Sequence, residues 1–382
     1  MKKLIISIFF YFAVAASAHA QGIIIDHSCS NLSAIPENWI DSAKVKLKVT
    51  YQHTSHGSQI VSGIEAIENT YWGVYTYTGS GYGLDTSVFL NDYGMPGAGD
   101  LGHNGDLAWR DATIEILELP ECNRNVVMWS WCGGVSDNDS VGIYTYLNAM
   151  ADLETTYPDV KFVYMTGHLD GGGADGNLNQ MNNLIRNYCI DNNKILYDFA
   201  DIESYDPDAL QNYMEWCALD GLNYDPTCNN PWGGPNWGEE WVSTNPTHSY
   251  IDVLNNCTQC AHSSDPIEAR INCVQKGNAF WWLMATLAGW NQGTTSISNK
   301  LQPESVSIYP NPASNMLNLT IPYKNKVKVE LFNLVGQSVV TKYKEAEETT
   351  MTINIKCLKP GIYFCSISGG KETVTKKVVV RQ

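Results

Sequence analysis

Residues 44–71 read "KVKLKVTYQHTSHGSQIVSGIEAIENTY". The opening run, residues 44–50, alternates polar and apolar, which is the period of a strand. From Ser58 onward Ile60, Val61, Ile64 and Ile67 recur at helical spacing. Between the two lies "QHTSHGS", residues 52–58, crowded with imidazoles and hydroxyls. A strand that runs straight into a helix is the first half of a βαβ unit. A serine at such a turn has two readings. It is a nucleophile beside the helix N-terminus, or it caps the helix and does no chemistry.

The same alternation continues outward. Strand-like runs recur at "NVVMWSW" (125–131), "VKFVYMTG" (160–167) and "KILYDFA" (194–200). Helical patterns lie between them at "VGIYTYLNAMADLETTY" (141–157) and "LNQMNNLIRNYCIDN" (178–192). A strongly apolar helix, "QKGNAFWWLMATLAGW" (275–290), closes the series. Strands alternating with helices predict a three-layer, flavodoxin-like α/β body with a mostly parallel sheet. In such sheets the crevice lies at the carboxyl ends of the strands. Polar clusters fall at those ends: "QHTSHGS", "CGGVSDND", "GHLDGGGADGN" and "DIESYDPD".

Residues 1–20 have a basic start, an apolar stretch and an "SAHA" cleavage site, the pattern of a secretory signal peptide. No later run is long enough to span a bilayer, so the mature chain is expected to be exported without a transmembrane segment. Nine cysteines lie in the body and two near the end, which an oxidising compartment turns mainly into disulfides. Nine is odd, so at least one body thiol is expected free. "CTQC" (257–260) has no second ligand pair, and neither a metal nor a cofactor is expected. "DGGGADGN" (170–177) lacks calcium-loop spacing and reads as a loop. Residues 21–295 carry 10 Lys and Arg against 34 Asp and Glu, which excludes a nucleic-acid partner. Residues 296–382 are basic by comparison, 12 against 6. This switch predicts a body over 21–293, a linker over 294–303 and a second domain over 304–382.

The second domain reads as seven short strands parted by turn residues, a β-sandwich of immunoglobulin-like type. "YPNPASNMLNLTI", "VELFNLVGQSV", "LKPGIYFCSI" and the terminal "TKKVVVRQ" together resemble the type A C-terminal sorting domain of the type IX secretion system of Bacteroidetes. That resemblance implies the secretion machinery as partner of residues 304–382. It also implies a product that is released or anchored at the outer-membrane surface.

The order of blocks in the body resembles the SGNH hydrolases, a family of esterases and lipases. It is also similar to secreted bacterial proteins that share an HTSHGSQ-type segment. The first likeness implies Ser55 as nucleophile after the first strand, with His53 and His56 lining the pocket. "GMPGAGDLGHNGD" (94–106) offers Gly97, Gly99 and Gly102 as oxyanion amides. His262, before the final helix that Gly277 would start, is the implied base. The position three residues before it is Gln259 rather than Asp, so Asp265 is the implied acid. "SWCGGV" lacks the family's Asn, which leaves Gly133, His168 or Asn177 to complete the oxyanion hole. Cys132 reads first as buried or disulfide-bonded, with a thiol nucleophile as the alternative. "PWGGPNWGEEW" sets Trp232, Trp237 and Trp241 in a Gly/Pro loop, a candidate sugar-stacking surface. The expectation is a secreted serine esterase acting on an acylated glycan. The alternative is a non-catalytic glycan-binding protein that uses the same crevice.

Overall fold

The computed structural model describes residues 22–79, 85–263, 266–291, 306–321, 326–333, 336–344, 350–369 and 372–381. It divides into two units, one ending at Trp290 and the other beginning at Asn291.

Among the described residues the first unit is built on seven parallel strands: β1 (Ile23–Ile25), β2 (Lys48–Gln52), β3 (Tyr77–Thr78), β4 (Val88–Asp92), β5 (Val126–Trp129), β6 (Lys161–Met165) and β7 (Ile195–Tyr197). Their order is β1-β7-β6-β5-β2-β4-β3. Helices alternate with them: α1 (Glu37–Lys46), α2 (Ser58–Thr70), α3 (Ala108–Leu117), α4 (Gly134–Asp137), α5 (Ser140–Thr156), α6 (Asn177–Asp191) and α7 (Phe199–Ile202). Three more follow the last strand: α8 (Trp237–Thr244), α9 (Ser249–Asn256) and α10 (Ile271–Leu287). All four residues of β5 are buried, as a central parallel strand covered on both faces requires.

The chain leaves β2 toward β4 on one side, then crosses to β5 on the other. The carboxyl ends of β2 and β5 therefore flank the point where strand order reverses. Open α/β sheets form their ligand crevice at such a point.

Two boundaries differ from the sequence reading. Residues 44–46 belong to α1, and β2 begins at Lys48. The alternation that suggested a strand also suits a helix end, where Lys44 and Lys46 meet the negative pole of the helix dipole. Gly277 lies inside α10 rather than at its start. Its place there is explained by α2. A Cβ on Gly277 would come within 2.4 Å of the Gly63 carbonyl carbon, and one on Gly63 within 1.9 Å of the Cys273 carbonyl oxygen. The two helices thus cross in backbone contact, which a side chain at either glycine would prevent.

Among the described residues the second unit holds seven strands in two antiparallel sheets: β8 (Ser307–Tyr309), β9 (Met316–Thr320), β10 (Val327–Phe332), β11 (Ser338–Lys344), β12 (Thr350–Asn354), β13 (Gly361–Gly369) and β14 (Glu372–Val380). The orders are β11-β10-β13-β14 and β12-β9-β8. Val327, Val329 and Leu331 of β10 point into its core while Lys328 and Glu330 do not, the alternation of a sheet with one wet face. Cys365 is buried here and Cys357 exposed, both as free thiols.

Candidate active site

The turn after β2 is set by packing. Tyr51 Oη donates to the Gly57 carbonyl oxygen at 2.9 Å. A Cβ on Gly57 would lie 2.2 Å from Ser130 Oγ and 2.3 Å from His53 Cβ. Glycine is therefore needed for α2 to start against the end of β5. This tight turn places His56, buried, beside Cys132 in the loop after β5.

His56 Nδ1 lies 3.3 Å from Cys132 Sγ, and His56 Nε2 lies 2.7 Å from Asp220 Oδ2. Thiol, imidazole and carboxylate thus form one line. Asp220 Oδ1 accepts its neighbour's amide, Gly221 N–H, at 2.9 Å, and the Asp220 carbonyl accepts from Ser263 Oγ at 2.7 Å and Asn272 Nδ2 at 3.0 Å. Two further imidazoles sandwich His56. His168 stacks on one face with centroids 3.5 Å apart, and His262 on the other at 3.9 Å. His262 Nδ1 also reaches Asp220 Oδ2 at 3.4 Å.

Disulfides staple two of these loops. Cys217–Cys228 closes the loop that carries Asp220, and Cys260–Cys273 the one that carries His262. His262 holds a left-handed φ of 62°, a conformation uncommon outside glycine but open to histidine. Cys260 is therefore a disulfide partner, and Cys257 a buried free thiol.

The electrostatics follow the geometry. The His56 hydrogen bond lowers the Cys132 thiol to about 7, against burial, with help from the Thr54 hydroxyl. Burial alone would lower His56, but its bonds to Asp220 and Cys132 outweigh this and raise it to about 9. Burial works against the Asp220 carboxylate, yet the His56 bond and the surrounding imidazoles hold it below its ordinary range. Burial and the His56 charge push His168 and His262 below the usual histidine value. These shifts favour the neutral form of the outer rings and the charged forms of His56 and Cys132.

His56, Asp220 and His262 bring three potential metal-ligand atoms, two from imidazoles and one from a carboxylate, within 4.8 Å of one another. The His56 and His262 rings are within 8° of parallel, however. Lone pairs on two stacked rings run side by side instead of converging on one ion, so the arrangement suits hydrogen bonding.

The expected site residues separate into two groups. His56 meets Cys132, His168 and His262 stack on His56, and Gly133 follows Cys132 in the chain. Ser55 is exposed, and its Oγ has Cys132 Sγ as its neighbour at 3.9 Å rather than an imidazole. His262, expected as base for Ser55, instead faces Asp220 and His56. His53 points away, bonded to Asp92 at 2.8 Å and packed against Tyr93. Gly97 faces Ala112, Gly99 packs on Thr54, and Gly102 lies against Asp106. Asn177 is occupied by the carbonyls of Ser136 and Asn138, at 2.8 and 2.9 Å. Asp265 lies outside the described residues. Trp237 and Trp241 are core residues, and of the three tryptophans only Trp232 is exposed, at 76%.

Cys132 corrects the first reading of its sequence: it is free and only partly buried. Asp220 was missed altogether. "CALDGLNYD" carries no periodic signal, and only its flanking cysteines mark it.

Residues 307–381 match the family described as the secretion system C-terminal sorting domain. The tail is a type IX sorting domain. Among the described residues no helix is long and apolar enough to cross a membrane. The sorting domain accordingly implies export through the type IX machinery, to the cell surface or beyond. No curated protein matches the chain. Solved structures similar to it include the following two. One is an engineered protein, at 11% identity over 87% of this chain and 62% of that one, TM-score 0.22. The other is a Cellulomonas fimi endo-beta-1,4-mannanase double mutant, at 11% identity over 73% and 52%, TM-score 0.20. The chain thus spans less than two thirds of the length of either.

Proposed function

We propose that the body is a secreted thiol-dependent hydrolase of acyl bonds, in which Cys132 attacks, His56 moves the proton and Asp220 orients His56. One observation carries this reading: His56 bonds Cys132 Sγ through one nitrogen and Asp220 through the other. A thiolate is the reactive form of cysteine, and a neighbouring imidazolium stabilises it near neutral pH. The sulfur adds to an ester or amide carbonyl. The amides of Cys132 and Gly133, next to the attacking atom in the chain, are the candidates to hold the oxyanion. His56 then protonates the leaving group. Water, deprotonated by His56, splits the acyl-thioester. The likeness to SGNH hydrolases supports this reading only as far as the placement of the site after β2.

An acylated glycan is the proposed substrate. Its support is export to a surface where polysaccharide is met, and the exposed face of Trp232. A serine esterase with Ser55 as nucleophile is the second reading. The exposure of Ser55, 3.9 Å from Cys132, favours it. Glycan binding without catalysis has Trp232 in its favour but leaves the thiol–imidazole–carboxylate line without a task.

The test is hydrolysis of aryl acetates and aryl amides by the mature chain, beside Cys132→Ala and Ser55→Ala. Loss with Cys132→Ala, retention with Ser55→Ala and inactivation by iodoacetamide support the thiol reading. The reverse pattern supports serine. No hydrolysis by any form, with retained glycan binding, sinks both.

A further inference from the structure

Lys276 of α10, Glu203 after α7 and Gln59 of α2 have no exposed surface. Lys276 Nζ donates to Glu203 Oε2 at 2.5 Å and also to Gln59 Oε1. The ring of Phe199 lies 3.9 Å from the ammonium. From this cluster three arms reach the imidazole stack. Glu203 Oε1 accepts the amide of Leu169, the residue after His168. Gln59 Nε2 donates to the carbonyl of Ala261, the residue before His262, at 2.5 Å. Gln59 itself stands in the first turn of α2, three residues after His56. Each stacked histidine is thus tied within three residues to one buried ion pair.

Such a pair is an expensive way to fill a core. Desolvating both charges costs as much as their attraction returns, and apolar residues of similar volume often stabilise a fold more. Its directional hydrogen bonds do what apolar packing cannot, because they fix the relative position of three loops. Tenths of an ångström matter there, since the thiol–imidazole contact is set by where His56 sits between its two neighbours.

We infer that Lys276, acting through Glu203 and Gln59, is a positioning residue that sets the register of the imidazole stack and thereby the contact of His56 with Cys132. This rests on the proposed thiol site. The groups that face His56 are Cys132 and Asp220 in its plane, and His168 and His262 on its faces.

The test is the pH dependence of Cys132 alkylation by iodoacetamide, followed by peptide mass spectrometry. It compares the mature chain with Gln59→Met, Lys276→Met/Glu203→Gln and a control, Ile143→Val, whose buried side chain lies on α5. Circular dichroism confirms folding at the assay temperature. The wild type is expected to titrate near 7. Both cluster variants are expected to titrate about one unit higher, so that alkylation at pH 6 slows about ten-fold. The control should match the wild type. Folded cluster variants with the wild-type profile, or an equal shift in the control, overturn the inference while leaving the thiol site intact. A wild-type Cys132 that titrates as an ordinary thiol overturns the site and the inference together. If the double variant does not fold, Gln59→Met, which removes no charge, decides.

Discussion

The imidazole of His56 meets the thiol of Cys132 at 3.3 Å, with its far nitrogen held by Asp220. Removing the sulfur should therefore abolish turnover, and Cys132→Ala is expected to show only background hydrolysis. Asp220→Asn leaves the shape intact but favours the wrong imidazole tautomer. A fall of about 10²–10⁴ in kcat is expected from comparable triads. Steady-state kinetics on an aryl ester check both.

The pH profile follows from the same pair. Cys132 must lose its proton to attack, so activity should rise as pH climbs through about 7. His56 must keep its proton to serve the leaving group, so activity should fall above about 9. A bell in kcat/KM with these two limbs is expected, and both limbs belong to the coupled pair. A single rising limb near the ordinary thiol value would show that His56 and Cys132 do not interact.

Asp220 depends on a staple. The Cys217–Cys228 bond joins residues 11 apart in sequence, and loop-closure entropy for that separation is worth about 3 kcal/mol. Replacing both cysteines with alanine should lower the melting temperature measured by calorimetry. It should also lower kcat well below the folded fraction's share, because the carboxylate loses its fixed place. Unchanged kcat in the folded double variant would show that the Ser263 and Asn272 bonds hold Asp220 unaided.

The contact of α2 with α10 has its own signature. Gly63→Ala puts a methyl 1.9 Å from the Cys273 carbonyl. Overpacking of this kind costs about 1–3 kcal/mol or more. Chemical denaturation should show that loss, and the separation of α2 from α10 should also disturb the cluster of Gln59 with Lys276. A stability equal to wild type would mean that the helices slide apart freely.

Much of the architecture is written locally. Periodicity in "NVVMWSW" and "VKFVYMTG" marks β5 and β6 because a buried strand needs apolar side chains on both faces. The tail's alternating strands and their turn residues mark its sheets for the same local reason. Polar clusters at strand ends pointed to the edge where His56, Cys132 and Asp220 meet, and the crowded "QHTSHGS" supplies His56. It did not say which of these side chains turns inward. Ser55 and His56 are adjacent in the chain, and only the turn forced by Gly57 sends one outward and the other inward.

The partners of His56 lie 76 and 164 residues away. No local pattern can pair residues at such distances. Cys132 comes to His56 because β5 lies beside β2, and Asp220 because a disulfide-bound loop folds back over the strand ends. Local side-chain chemistry set the strands, the helices and the sorting tail. The order of the strands in the sheet, a non-local property, set which thiol, imidazole and carboxylate meet.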